Sequence, residues 1–251
     1  AVSGEIRWTR NLANEFGGIT PRCGFVEGLC IEGDLVVCTP GGKDAAFVGL
    51  NKRTGETVWA SRGFTDMSAY CSPIRVERGG TRQLVTVTAR HVVGFDPRTG
   101  EIFWSRPFDT EAEDPNHSNT PVYHDGVIYI MSGHRNGGQA YKLSEDGRSA
   151  EEAWADEVLN PLHSGAVAVG GYVYGANPRG HWVCLEIRTG KLMYDAKDIG
   201  PGSVIHADGM LYCYGEKGAL ALVPATPTGF EPVSRFRIAW GDDRHWAHPA
   251  I

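Results

Sequence analysis

The sequence predicts an all-β fold, a β-propeller of four-stranded antiparallel blades, on three observations. One pattern recurs at a fixed period. Each period holds four strand-like runs joined by tight turns. No stretch carries a helical repeat of apolar residues. The pattern reads VGLNKRTGETVWA at 48–60, VGFDPRTGEIFWS at 93–105 and VCLEIRTGKLMYD at 183–195. Its turn glycines, Gly55, Gly100 and Gly190, stand 45 and then 90 residues apart. A period of this length with four strands is the unit of a propeller blade.

The elements follow in chain order. GEIRW at 4–8 sets Gly4 before Trp8 with the spacing of Gly55 before Trp59 and Gly100 before Trp104. A degenerate turn falls one period after Gly100, with Gly147 in SEDGRSAEEAW and Trp154 displaced by a short insertion. Tyr194 takes the Trp place after Gly190, and Gly229 in PATPTGFEP reads as the next turn glycine. Ahead of each turn stands an apolar strand, and ahead of that a hairpin: CIEGDLVVC, VYHDGVIYIM, VAVGGYVYG, IHADGMLYCY. Asp-Gly and Gly-Gly between β-rich runs are hairpin signals. First strands open at Ser72, Thr120, Ser164 and Ser203. Runs such as MLYCY and VIYIM show little alternation, as expected of sheets covered on both faces. In the RTG turns, Asn51 and Asp96 can bond the turn backbone and Gly supplies positive φ. The following Trp can bury its ring between blades. The blade-docking set is therefore Trp8, Gly55, Trp59, Gly100, Trp104, Trp154, Gly190 and Tyr194.

The segmentation that results is 1–10 as the outer strand of one blade, blades at 11–60, 61–105, 106–157, 158–195 and 196–240, and 241–251 as the start of a further blade. A chain that begins and ends inside blades leaves strand edges and apolar faces uncovered. The expectation is an arc of a longer propeller, its gap filled by further blades or a partner protein.

Composition narrows the function. Glycine is abundant, 33 of 251 residues with 14 prolines, which favours short strands closed by turns. The net charge is −6 and no Lys/Arg block occurs, which argues against nucleic acid and anionic membranes as partners. No apolar run approaches the ~20 residues of a membrane span. No signal peptide is present, and the opening AVSGEIRW reads as a mature or trimmed start. The six cysteines, Cys23, Cys30, Cys38, Cys71, Cys184 and Cys213, include no C-x-x-C and no adjacent pair. They read as buried free thiols, with a Cys23–Cys71 or Cys30–Cys38 bridge as the alternatives.

The string L/F-x-x-R-T-G-E/K-x-x-W resembles the PQQ (pyrroloquinoline quinone) repeat of quinoprotein-like propellers. That superfamily includes bacterial quinoprotein alcohol dehydrogenases, the propeller lipoprotein of the outer-membrane barrel-assembly machinery, and exported bacterial propellers of unassigned activity. CTPGGKDAAFVGLNKRTGETVWAS is most similar to the last group. The resemblance covers essentially the whole chain. It implies export to the periplasm or beyond, and a ring of about eight blades. It implies little about activity, because this fold hosts enzymes and scaffolds alike. Quinoprotein dehydrogenases carry an adjacent Cys-Cys ring at the cofactor, which this chain lacks. Their acidic and Asn calcium ligands map weakly at best, to Asp114 and Asn116, which a polar inter-blade loop explains as well.

Ligand sites of propellers gather at the channel mouth, on segments entering the first strands. Here those segments supply Arg22, Tyr70, His117, Asn119, His163 and His248. Three histidines at equivalent places suit a small-ligand, acid–base or metal cluster, and equally suit strand caps in a wet channel. The reading is a binding or scaffold module with no cofactor and a possible small ligand. The alternatives are a PQQ- and calcium-dependent oxidoreductase of alcohols or sugars and, less supported, a hydrolase or lyase using the mouth histidines. No G-x-S-x-G nucleophile motif favours the last.

Overall fold

The computed structural model describes residues 4–111, 116–133, 137–241 and 243–251. The turn-glycine and hairpin pattern translates into five four-stranded antiparallel sheets, each ordered first to fourth strand along the chain. Blade I is β1 (Cys30–Glu32), β2 (Leu35–Cys38), β3 (Val48–Asn51) and β4 (Thr57–Ala60). Blade II is β5 (Ile74–Arg78), β6 (Thr81–Val87), β7 (His91–Phe95) and β8 (Ile102–Pro107). Blade III is β9 (Val122–His124), β10 (Val127–Met131), β11 (Gly138–Leu143) and β12 (Ala150–Asp156). Blade IV is β13 (Ala166–Val169), β14 (Tyr172–Ala176), β15 (His181–Glu186) and β16 (Leu192–Lys197). Blade V is β17 (Gly202–Ala207), β18 (Met210–Gly215), β19 (Ala219–Pro224) and β20 (Ser234–Arg237). The sheets are those of a β-propeller.

The hairpins close as their sequences predict. Asp125 and Asp208 take positive φ before Gly126 and Gly209, the turn geometry that matches strand twist. One element went unread in the sequence: the five-residue helix α1 (Leu12–Phe16), capped by Asn11, whose side chain accepts from Asn14 N–H. Residues 4–10 and 241–251 form no strand among the described residues. A strand exists only against a ladder partner, and neither flank pairs with a neighbouring strand there.

The chain divides into two compact units. The first comprises Ala1–His117 with Ser144–Ala150, and the second Ser118–Leu143 with Glu151–Ile251. In the first, Val37, Phe47, Trp59, Leu84, Val93 and Phe95 pack blade I on blade II, with Phe47 and Phe95 stacked at 4.3 Å. In the second, Tyr129, Leu159, Val173 and Leu185 join blades III and IV, and Tyr174, Trp182, Cys184, Cys213 and Val223 join IV and V. β10 is buried at every residue, as expected of a sheet covered on both faces. β18 instead alternates between buried and half-buried, because one face meets blade IV while Val233 and Phe236 of blade V stay exposed.

The recurring Trp docks by one rule. Trp8 Nε1 donates to Lys52 O (3.2 Å), Trp59 Nε1 to Pro97 O (3.1 Å) and Trp154 Nε1 to Ile187 O (3.0 Å). Each acceptor is the second residue of the next blade's turn, and each ring lies on that turn's glycine. A Cβ on Gly100, whose φ is +74°, would stand 2.5 Å from Trp59 Cε3. Trp104 reaches its turn through a relay: its Nε1 donates to Gln83 Oε1 (2.7 Å) and Gln83 Nε2 donates to Gly147 O (2.8 Å). Tyr194 packs against Tyr174 with ring centroids 6.4 Å apart. Gly229 does not take the docking role. Nothing approaches its Cβ position closer than Glu231 at 3.9 Å, because the loop there is longer and Phe230 covers Trp182 at 5.4 Å instead.

Candidate functional site

The ends at which the first strands begin carry most of the polar side chains singled out in the sequence. In the first unit, Tyr70 Oη accepts from Cys23 N–H (3.1 Å) and Tyr70 N–H donates to His117 O (3.0 Å). His117 is buried against Phe108, and its Nε2–H donates to Ala89 O (3.1 Å). Arg22 stands exposed in the neighbouring turn. In the second unit, buried Asn119 spans two backbone partners: Nδ2 donates to Pro161 O (2.7 Å) and Oδ1 accepts from Gly165 N–H (3.0 Å). Ser118 Oγ adds a bond to Leu162 O (2.9 Å). His163 meets the Trp246 ring edge-on at 4.5 Å. His248 hydrogen-bonds the His163 backbone, and partial burial lowers its pKa against that bond's opposing pull. The structure thus brings Asn119, His163 and His248 together around residues 161–165, and Tyr70 with His117. Asn116 is half-buried; Asp114 lies outside the described residues.

Most of these groups are spent on backbone. They fix one blade's first strand to the next, as Gly28 N–H does on Ser72 Oγ (2.8 Å) and Ser203 Oγ on Ala247 O (3.3 Å). In this pattern blade I contributes Glu27 and Gly28. Glu27 was not legible as a site residue, because its partner Thr39 is fixed only by the sheet. Its Oε1 accepts from Thr39 N–H (2.6 Å), and burial pushes its pKa up against that bond. Among the described residues no cation neutralises it, so ionisation costs folding energy. A raised folded-state pKa means its contribution is complete below the unfolded pKa and lost as pH rises through the folded one. Glu27→Gln keeps the acceptor without the charge. The variant should match the parent near pH 4 and exceed it at pH 7, by about 1 kcal/mol, in urea unfolding at both values. A gap that closes or reverses toward pH 7 would contradict the assignment.

Two positioned imidazoles were also missed, although the signal was present: His91 and His181 stand 90 residues apart, two periods, each first in its blade's third strand. His91 Nδ1 bonds Asp66 Oδ2 (2.8 Å), which also accepts from Thr88 Oγ1 (2.6 Å) and Arg90 N–H (2.9 Å). His181 Nδ1 bonds Asp195 Oδ1 (2.5 Å). A carboxylate on Nδ1 fixes the tautomer and the ring orientation. Among the described residues no hydroxyl or thiol hydrogen-bonds either ring, and Asp66 also closes its own turn, so these pairs read as turn fasteners.

All six cysteines are free. Burial pushes the Cys38 and Cys184 thiols up to about 12, and Cys71 and Cys213 upward as well. These thiols stay protonated and inert near neutral pH. Among the described residues, no three His, Cys, Asp or Glu side chains converge as a metal site.

Comparison with known proteins agrees with this picture. Residues 1–193 match the PQQ_2 family model, described as outer membrane protein assembly factor BamB. A quinoprotein ethanol dehydrogenase of Pseudomonas aeruginosa is 35% identical over 123 residues, covering 43% of this chain and 19% of the dehydrogenase. Among solved structures, BamB from Moraxella catarrhalis superposes with a TM-score of 0.62 at 15% identity, over 86% of this chain and 64% of that one. The computationally designed Ika8 protein gives 0.57 at 13% identity, over 80% and 59%. At these identities the structures speak for the fold alone. The chain spans about one-fifth of the dehydrogenase and under two-thirds of the Moraxella protein.

Proposed function

Because this chain belongs to the PQQ_2 family, whose description is outer membrane protein assembly factor BamB, we propose that it is a PQQ-repeat propeller acting as an exported binding or scaffold module. The observation that carries the reading is uncovered apolar surface. Leu29 and Val58 of blade I are 57% and 55% exposed, and Phe236 and Trp240 at blade V are 62% and 85% exposed. Apolar surface of this kind marks protein contact, and further blades or a partner protein would cover it. The first-strand ends support the same reading, since Asn119, His117 and Ser118 are committed to pinning blades. No helix of the described residues is long and apolar enough to cross a membrane.

The dehydrogenase match favours one second reading, a PQQ- and calcium-dependent oxidoreductase. The residues present do not fit that pair. The adjacent cysteines are missing, and no cation ligand set converges among the described residues. The test is reconstitution of the purified chain with PQQ and Ca²⁺, followed by dye-linked oxidation of alcohols and sugars. No stoichiometric uptake and no turnover are expected. Either one would replace the scaffold reading with the oxidoreductase.

A further inference from the structure

Trp59 and Trp104 each face a glycine on the third strand of their own blade. Gly49 pairs with Trp59 and Gly94 with Trp104. A Cβ on either glycine would stand 2.3 Å from the indole, so the ring fills the space a side chain would take. Blade IV carries the smaller Tyr194, and there the paired residue is Cys184. The residue after the glycine, Leu50 or Phe95, pairs with Thr57 or Ile102, which leaves Val58 or Phe103 as a bulge between the two pairs. Residues 5–8, Glu-Ile-Arg-Trp, align with 56–59 and 101–104. Trp8 also docks on the turn of blade I as Trp59 does on that of blade II: its Nε1 donates to Lys52 O (3.2 Å), and a Cβ on Gly55 would stand 2.7 Å from its ring. Arg10 adds bonds to Gly55 O (2.6 Å) and Thr57 Oγ1 (3.2 Å). The segment is therefore held on blade I in the place of a fourth strand, with no third strand laddered to it among the described residues. Ile6 is 78% exposed, whereas its equivalent Ile102 packs against the core between blades I and II. Trp8 is half-buried, whereas Trp59 and Trp104 are buried.

We propose that residues 6–9 form a strand-accepting edge, which takes an antiparallel apolar-Gly-apolar segment of a partner polypeptide with its glycine opposite Trp8. A large apolar residue follows that glycine and covers Ile6, and Arg7 is the bulge. Ladder bonds to the edge supply affinity, and the indole selects the glycine, because any side chain there would meet the ring. The argument is continuity with the blade I–II interface, where the same dock on the next turn is completed by such a strand. A second copy has none to offer: β3 and β7, which carry Val-Gly-Leu and Val-Gly-Phe, are paired on both sides. The inference rests on the scaffold reading and gives its blade I contact a chemistry; cofactor turnover tests that reading, and strand binding tests this one.

The experiment is hydrogen exchange of the whole chain, with ¹⁵N NMR of the Trp8 indole, during titration with a peptide that carries residues 45–52 of this chain, AAFVGLNK, between added lysines. Saturable protection of residues 6–9 and a shift of the Trp8 indole N–H are expected. The same peptide with Gly49→Val should bind about tenfold more weakly or worse, the cost of forcing a side chain against the ring. Ile6→Asp in the protein should weaken binding to a similar degree and leave the melting temperature unchanged, since that side chain is exposed. Four results would overturn the proposal: no protection at residues 6–9, equal binding of the valine peptide, exchange changes at residues 57–60 in place of 6–9, or protection that rises with protein concentration in the absence of peptide, which would make a second copy the occupant.

Discussion

Trp59→Ala should lower the stability of the first unit by about 3–5 kcal/mol, the usual cost of removing a buried indole. Trp59 is 8% exposed, donates to Pro97 O, lies on Gly100 and meets Phe95 edge-on with centroids 6.3 Å apart. The variant loses the ring, the bond and the seal between blades I and II at once. In a chain of this size each kcal/mol moves the melting temperature by roughly 2–4 °C, so a fall of about 10 °C is expected by circular dichroism. Trp240→Ala is the control: that ring is 85% exposed, and its loss should stay within about 0.5 kcal/mol. Equal effects of the two would remove the docking rule.

Gly41→Ala should be nearly as damaging, for a different reason. Gly41 sits between β2 and β3 at φ +61°, and its Cβ would stand 2.0 Å from Ser68 N and 2.7 Å from Met67 C. Those are backbone atoms, and Ser68 is itself bridged to Thr88, so no side-chain rotation gives relief. Left-handed backbone costs alanine about 1–2 kcal/mol, and forced repacking about 1–3 more. Chemical denaturation should show a loss of about 2–5 kcal/mol. Gly63→Ala shares the positive φ (+73°) but meets nothing within 4 Å, so it isolates the conformational part. A Gly41 variant no worse than the Gly63 variant would show that the close approach carries no cost.

The fold was legible because its determinants are local and repeated. Asp125-Gly126 and Asp208-Gly209 state their turns in two residues, and Gly100 with Trp104 states a turn and an outer strand in five. Reading failed where the determinant lies elsewhere in the chain. Gly229 has the sequence of a turn glycine, yet a longer loop and the stacking of Phe230 on Trp182 remove it from the docking position. The site was legible only by position. Asn119, His163 and His248 do gather around residues 161–165, but that Asn119 spends both ends of its amide on Pro161 and Gly165 is a tertiary fact. Glu27 was invisible because nothing in FVEGLC announces the Thr39 amide that it caps. His91 and His181 were visible and overlooked: the two-period interval was there, and their carboxylates, 25 residues before one and 14 after the other, were not.

The docking of each Trp on the following blade's turn makes stability a matter of adjacent pairs. Three of the junctions are each written in one indole, one carbonyl and one glycine, all inside neighbouring periods. Energetics of that kind behave as a chain of coupled links. A gene encoding such links can gain or lose a whole period by unequal recombination, because the new junction is spelled in the same three groups as the old ones. Divergence is then free to accumulate in the loops, where blade V has already replaced its turn with a longer loop that lays Phe230 on Trp182.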